Sequence, residues 1–179
     1  METIEALTRW TARGAFVLYV LALVVRMRVG RQPSADISKP HARRQRAADP
    51  LLWTAACALM IAHVGFAFHG FHHWSHRAAY EDTARQTREL LGMNWGGGLY
   101  ANYALVLVWV ADVARRWCRD PALTIQTSAL DWCIQVFLAF MWFNATVVFG
   151  HGWIRWAGWT GFAILVLQAR SFRKNRNRG

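Results

Sequence analysis

A bundle of membrane-crossing α-helices is the fold class that this sequence predicts, and three observations predict it. Hydrophobic residues make up 55% of the 179 residues and charged residues only 17%, against about a quarter charged in ordinary soluble domains. The apolar residues gather into five runs, most of them close to the roughly 20 residues that a helix needs to cross a bilayer. Basic residues are dense in alternate segments between those runs, the asymmetry that orients membrane helices. The expectation is therefore an all-α integral membrane protein in a single domain. It has five transmembrane helices, or four if the first run only lies on the inner surface, plus one amphipathic interfacial helix.

The first run, around residues 11–29, is centred on GAFVLYVLALVV. It is short for a span, and Arg13 and Arg26 would have to snorkel at its ends. A signal peptide is the competing reading, but RMRVGRQ follows where small cleavage-site residues belong. Residues 30–50 read as a basic cytoplasmic linker. The second span, 51–71, opens after Asp49-Pro50, because proline costs little in the first turn of a helix. Residues 75–91 carry Ala79, Tyr80, Ala84, Thr87, Leu90 and Leu91 at helical spacing, with charged residues between them. They predict an amphipathic helix on the outer surface, ended by Gly92. The Trp95-Gly96-Gly97-Gly98 stretch reads as a tight approach to the next span. It lacks the strand and the Lys-Ser/Thr of a phosphate-binding loop. The third, fourth and fifth spans fall at 97–114, 129–149 and 154–169, followed by a basic cytoplasmic tail at 170–179.

With five spans, fifteen basic residues fall on one side and six on the other. That places the N-terminus outside and the C-terminus in the cytoplasm. The preference for Arg over Lys points to a GC-rich bacterial genome, hence to the bacterial inner membrane. The partner expected first is the lipid bilayer, and a membrane-protein partner second. A nucleic-acid partner is not expected, since the net charge of +11 flanks apolar runs and forms no continuous stripe. Most of the 11 Trp residues fall at span ends. Trp53, Trp117 and Trp132 are expected at the inner interface, and Trp10, Trp74, Trp95 and Trp153 at the outer one. Cys57, Cys118 and Cys133 form no CxxC pair, so no disulfide framework is expected.

Chemistry concentrates in the histidines. His63, His69, His72, His73 and His76 crowd the outer end of the second span, and His151 sits at the same expected depth. If the helix continues, His69, His73 and His76 share one face. Imidazole ligates haem iron and transition metals such as Fe, Cu and Zn. One reading is a haem b held by His69 or His73 opposite His151, with His63 as a second ligand level. Another is a metal site built from His69, His72, His73, His76 and His151. A third is a di-iron centre. His69-x-x-His72-His73 resembles the HxxHH box of membrane fatty-acid hydroxylases and desaturases over five residues. That family carries several such boxes, facing the cytoplasm, whereas this chain carries one facing outward, so the sequence is not placed in it. Against these stand plain interfacial histidines and a proton-linked sensor. Asn102, Tyr103 and Asn144, at similar depth, predict a polar pocket opening outward. Asp112 and Asp131 are read as an interfacial ion-pair group with Arg115 and Arg116. No serine has evident triad partners. The functions carried forward are a histidine-rich metal or haem protein of electron transfer or redox chemistry, a non-catalytic membrane subunit, and a small transporter.

Overall fold

The computed structural model describes residues 2–29, 40–118 and 129–149, together with parts of 152–166. All regular structure among them is helical. In chain order come α1 (Glu2–Val29), α2 (Pro40–His72), α3 (His76–Leu91), α4 (Gly98–Trp117) and α5 (Ala129–Phe143). A π-helical turn, Asn144–Val148, continues α5. The chain forms two compact units, Met1–Ile134 and Gln135–Gly179.

Among the described residues, three helical stretches are long and apolar enough to cross a membrane: Glu2–Arg28, Ala48–His72 and Ala129–Val148. The first was expected to be short, but the helix begins well before the apolar run. Glu2 and Glu5 in its first turn and Arg26 and Arg28 in its last match the helix dipole at both ends. α4 coincides with the third expected span but is not among the three. Its Asn102, Asp112, Arg115 and Arg116 dilute an otherwise apolar helix. α2 also departs from expectation, because it starts at Pro40 and carries Pro50 inside it. Proline was read as the helix start, since it lacks the N–H that an interior position donates. Half of the segment read as linker is therefore helical. The fifth expected span is described only in pieces, of which residues 154–156 and 158–161 are helical. The tail at 170–179 lies outside the described residues.

In the first unit, α1 and α2 pack antiparallel. The Thr8 carbonyl meets His63, Tyr19 meets Trp53, and Arg26 meets Asp49, so the pairing runs in opposite directions along the two helices. Small residues permit the approach: a Cβ on Gly14 would stand 2.9 Å from Leu59 Cδ1. Ala15, Tyr19, Ala22 and Leu23 on α1 are buried, as are Trp53, Ala56, Cys57 and Met60 on α2. Each set follows an i, i+3, i+4, i+7 or i, i+4, i+7, i+8 pattern, which gathers it on one helix face. α4 runs antiparallel to α2, with Tyr103 beside Phe68 near one end and Arg116 beside Asp49 near the other. The unit thus has a histidine end and an arginine–aspartate end.

A sharp corner joins α2 to α3. α2 ends at His72, and His73 and Trp74 both take left-handed backbone angles, φ 47° and 61°. Ser75 then caps α3, its hydroxyl accepting from the Ala78 N–H at 3.2 Å. The expected stop is present: Gly92 takes φ 73° and its N–H closes on the Arg88 carbonyl. Of the expected apolar face, Ala79, Ala84 and Thr87 are buried, whereas Leu90 and Leu91 are exposed.

The glycines that follow have a packing reason. A Cβ on Gly96 would stand 2.5 Å from the Tyr80 carbonyl oxygen and 2.8 Å from its ring. Only glycine lets this loop pass so close to the α3 backbone. Gly96→Ala is expected to destabilise the fold by about 1–3 kcal/mol, as overpacking does, read by denaturation in detergent. An unchanged midpoint would mean that the loop and α3 can move apart freely.

The second unit has its own close contact. Gly158 lies where a Cβ would be 2.8 Å from Thr146 Cβ, and the Phe143 and Trp159 rings meet edge-on at 5.6 Å. The π-turn frees backbone acceptors, and two side chains occupy neighbouring ones. Asn144 Nδ2 donates to the Phe140 carbonyl at 2.8 Å, and the Thr146 hydroxyl to that of Trp142 at 2.7 Å.

Candidate functional site

The corner at 73–74 decides the fate of the histidine cluster. A shared face for His69, His73 and His76 requires one continuous helix. The chain instead leaves α2 after His72 and begins a new helix at His76. His69 is exposed beside Trp74, ring centroids 6.4 Å apart, and His73 is exposed at the corner itself. His76 turns to α4, where its Nδ1 lies 3.0 Å from the Tyr103 hydroxyl and its ring stacks on Tyr103. Among the described residues, no three His, Cys, Asp or Glu side chains gather as a metal-ion site. His151 lies outside the described residues.

His63 and His72 have a different setting. They line a cleft of about 650 Å3 together with Ala67 and Phe71 of α2 and Ala78, Asp82, Arg85 and Gln86 of α3. The lining follows helix geometry. His63, Ala67 and Phe71 recur every four residues on α2, and Ala78, Asp82 and Gln86 do so on α3, so each set forms one stripe. The two small alanines leave room between the walls.

The polar groups of the cleft are tied together on the α3 side. Asp82 accepts from Arg85 and, at 2.9 Å, from Gln86 Nε2, while Arg85 also reaches Glu89 at 3.3 Å. The hydrogen bond from Arg85 to Asp82 raises the guanidinium pKa above its ordinary value, so the cation persists. On the α2 side, His63 Nδ1 stands 2.9 Å from the Thr8 carbonyl oxygen. A carbonyl only accepts, so Nδ1 carries the proton. In the neutral ring the lone pair is then on Nε2.

The residues expected to form the polar pocket do not line this cleft. Asn102 is exposed, Tyr103 pairs with His76, and Asn144 belongs to the second unit, where it satisfies its own helix. Asp82 was expected only as a carboxylate behind the histidine ligands, and Arg85 was read as part of the solvated face of an amphipathic helix; both line the cleft together with Gln86. The four-residue steps from Ala78 to Asp82 to Gln86, with Arg85 seven residues from Ala78, were the available signal.

The other end of the first unit holds the most buried charged group among the described residues. Asp112 is 1% exposed and accepts from Arg115 Nε at 2.9 Å and Arg116 Nε at 2.7 Å. Arg115 also pairs with Asp131 of α5. Arg116 reaches Asp49 at 3.4 Å, and Arg26 reaches the same carboxylate at 3.1 Å. The expected ion-pair group is present, enlarged by Arg26 and Asp49. At its centre is Trp53, 0% exposed, with the Arg26 and Arg116 guanidiniums 4.9 and 4.5 Å from its ring centroid. Tyr19 and Trp109 pack on it at 5.6 and 5.3 Å. Trp53 was expected at the lipid interface, and the two guanidiniums instead make it a core residue. By contrast Trp10, Trp74, Trp95, Trp117 and Trp132 are exposed.

Among the described residues, the fold and site define an all-helical protein with three helices long and apolar enough to cross a membrane and a histidine-lined cleft between α2 and α3. Searches of family models, curated proteins and solved structures gave no match to this chain.

Proposed function

We propose that this chain is a multi-pass protein of the bacterial inner membrane that binds a small redox-active ligand in the α2–α3 cleft, on the non-cytoplasmic side. The observation that carries this reading is the cleft itself. Its volume of about 650 Å3 lies within the range of small-molecule sites, roughly 300–1,000 Å3. Its walls combine apolar residues with two imidazoles, a carboxylate, a guanidinium and an amide. The five-span topology, with the N-terminus outside, follows from the basic-residue asymmetry. Lipid tails then cover exposed apolar side chains such as Leu107, Val136 and Phe140. Electron transfer is the role that suits a histidine-lined site among apolar helices.

Two measurements test this reading. In a background with the native cysteines otherwise removed, Met93→Cys should react with a membrane-impermeant maleimide in intact spheroplasts. Cys118 alone should react only after permeabilisation, and the reverse pattern would sink the orientation. For the cleft, Ala67→Trp should fill the space and remove any small molecule that mass spectrometry finds with the purified wild type. Equal content in both proteins would rule out the cleft as its site. A stoichiometric membrane protein co-purifying in place of a small molecule would favour the subunit role.

A further inference from the structure

We infer that the ligand of this cleft is a metallated tetrapyrrole, a haem, with His63 Nε2 as its protein-derived axial ligand. The inference rests on the cleft reading above and adds the ligand class and the coordinating atom.

His63 carries the argument. Its Nδ1 is held by the Thr8 carbonyl on α1 while the residue lines the cleft between α2 and α3. Metal-bound histidines characteristically donate their other ring N–H to a carbonyl or carboxylate, which fixes the tautomer and makes the ligating nitrogen more basic. Thr8 is buried on α1, so the orienting carbonyl is itself fixed. None of the other described outer-end histidines has this arrangement. His69 and His73 are exposed, and His76 is engaged with Tyr103.

The cleft suits a ligand that brings most of its own donors. A bare ion asks the protein for three or four ligands, and a tetrapyrrole asks for one or two. From His63 to Ala67 the α2 wall runs four residues, about 6 Å of helix, roughly the distance from the centre of a macrocycle to its edge. Ala67, Phe71 and Ala78 supply apolar contact for its faces. Arg85, lining the same cleft and exposed, supplies a cation for carboxylates on the ring edge. The acidic groups nearest Arg85 are Asp82 and Glu89, which already neutralise it in part.

The test uses the full-length protein in detergent, titrated with ferric haem b and separately with metal-free protoporphyrin IX. Wild type should give a shifted Soret band saturating near one equivalent. His63→Asn keeps an amide donor within reach of α1 and removes the imidazole. It should lose at least about tenfold in haem affinity, the scale seen when metal-site partners are removed. Metal-free porphyrin should bind both proteins alike. His63→Gly should regain the band when free imidazole is added, and His72→Ala should retain it. Haem affinity and spectrum unchanged in His63→Asn would overturn the coordination. If porphyrin binding still falls in Ala67→Trp in that case, the cleft reading survives. If neither haem nor porphyrin binds wild type more tightly than empty micelles do, the haem assignment falls, and mass spectrometry of the purified protein then decides the cleft reading alone.

Discussion

Asp112→Ala is expected to destabilise the first unit by about 3–5 kcal/mol, the scale measured when one partner of a buried ion pair is removed. The carboxylate is almost fully buried and accepts from both Arg115 and Arg116. Arg116 is itself only 8% exposed at the side chain. Its other carboxylate, Asp49, is shared with Arg26. Removing Asp112 therefore leaves three guanidiniums facing Asp49 and Asp131, with Arg116 held away from water. The penalty should come from the stranded cation rather than from the lost attraction, because desolvation offsets much of a buried pair's Coulomb energy. The double variant Asp112→Leu with Arg116→Met should accordingly recover a large part of the loss. Denaturant titrations of Asp112→Leu, Arg116→Met and the double variant form a cycle that reads this directly. Strictly additive losses would show that the two side chains do not act as a pair.

Trp53→Ala should be comparably severe, about 3–5 kcal/mol on the scale of large-to-small core changes at Phe and Trp. Two effects add at this position. The indole is wholly buried between Tyr19 and Trp109, so its deletion leaves a cavity. Its ring is also approached by two guanidiniums, and a desolvated cation–π contact contributes up to about 2 kcal/mol. Replacement series separate these contributions. Trp53→Phe keeps an aromatic ring and should be the mildest change. Trp53→Leu keeps apolar volume without the quadrupole and should fall between Phe and Ala. Equal stability of the Leu and Phe variants would remove the cation–π share and leave packing alone.

The helical class was legible because it rests on composition and on a period that local sequence carries. Gly92 as the stop of α3 was legible for the same reason, since a left-handed cap favours glycine. The α2–α3 corner was not. His73 and Trp74 carry no turn signal, and their left-handed angles are uncommon for such side chains. A helical reading therefore ran through them and aligned histidines that the chain separates. Pro50 misled in the opposite sense, marking a helix start where α2 continues.

The sequence by itself determined the kind of protein: apolar helices with basic flanks, an amphipathic helix, and histidines crowded at one end. Tertiary structure alone decided which of those side chains act together. It drew Arg26 and Asp49 into the group around Asp112, and it made Trp53 a core residue where local pattern placed it at an interface. It divided five outer histidines among three settings and put His63 in a cleft whose other wall is α3. The physical reason is range. Helix formation and hydrophobicity depend on neighbours within a turn or two, whereas ion pairing, desolvation and cleft lining depend on residues tens of positions apart, such as His63 and Thr8 or Arg116 and Asp49.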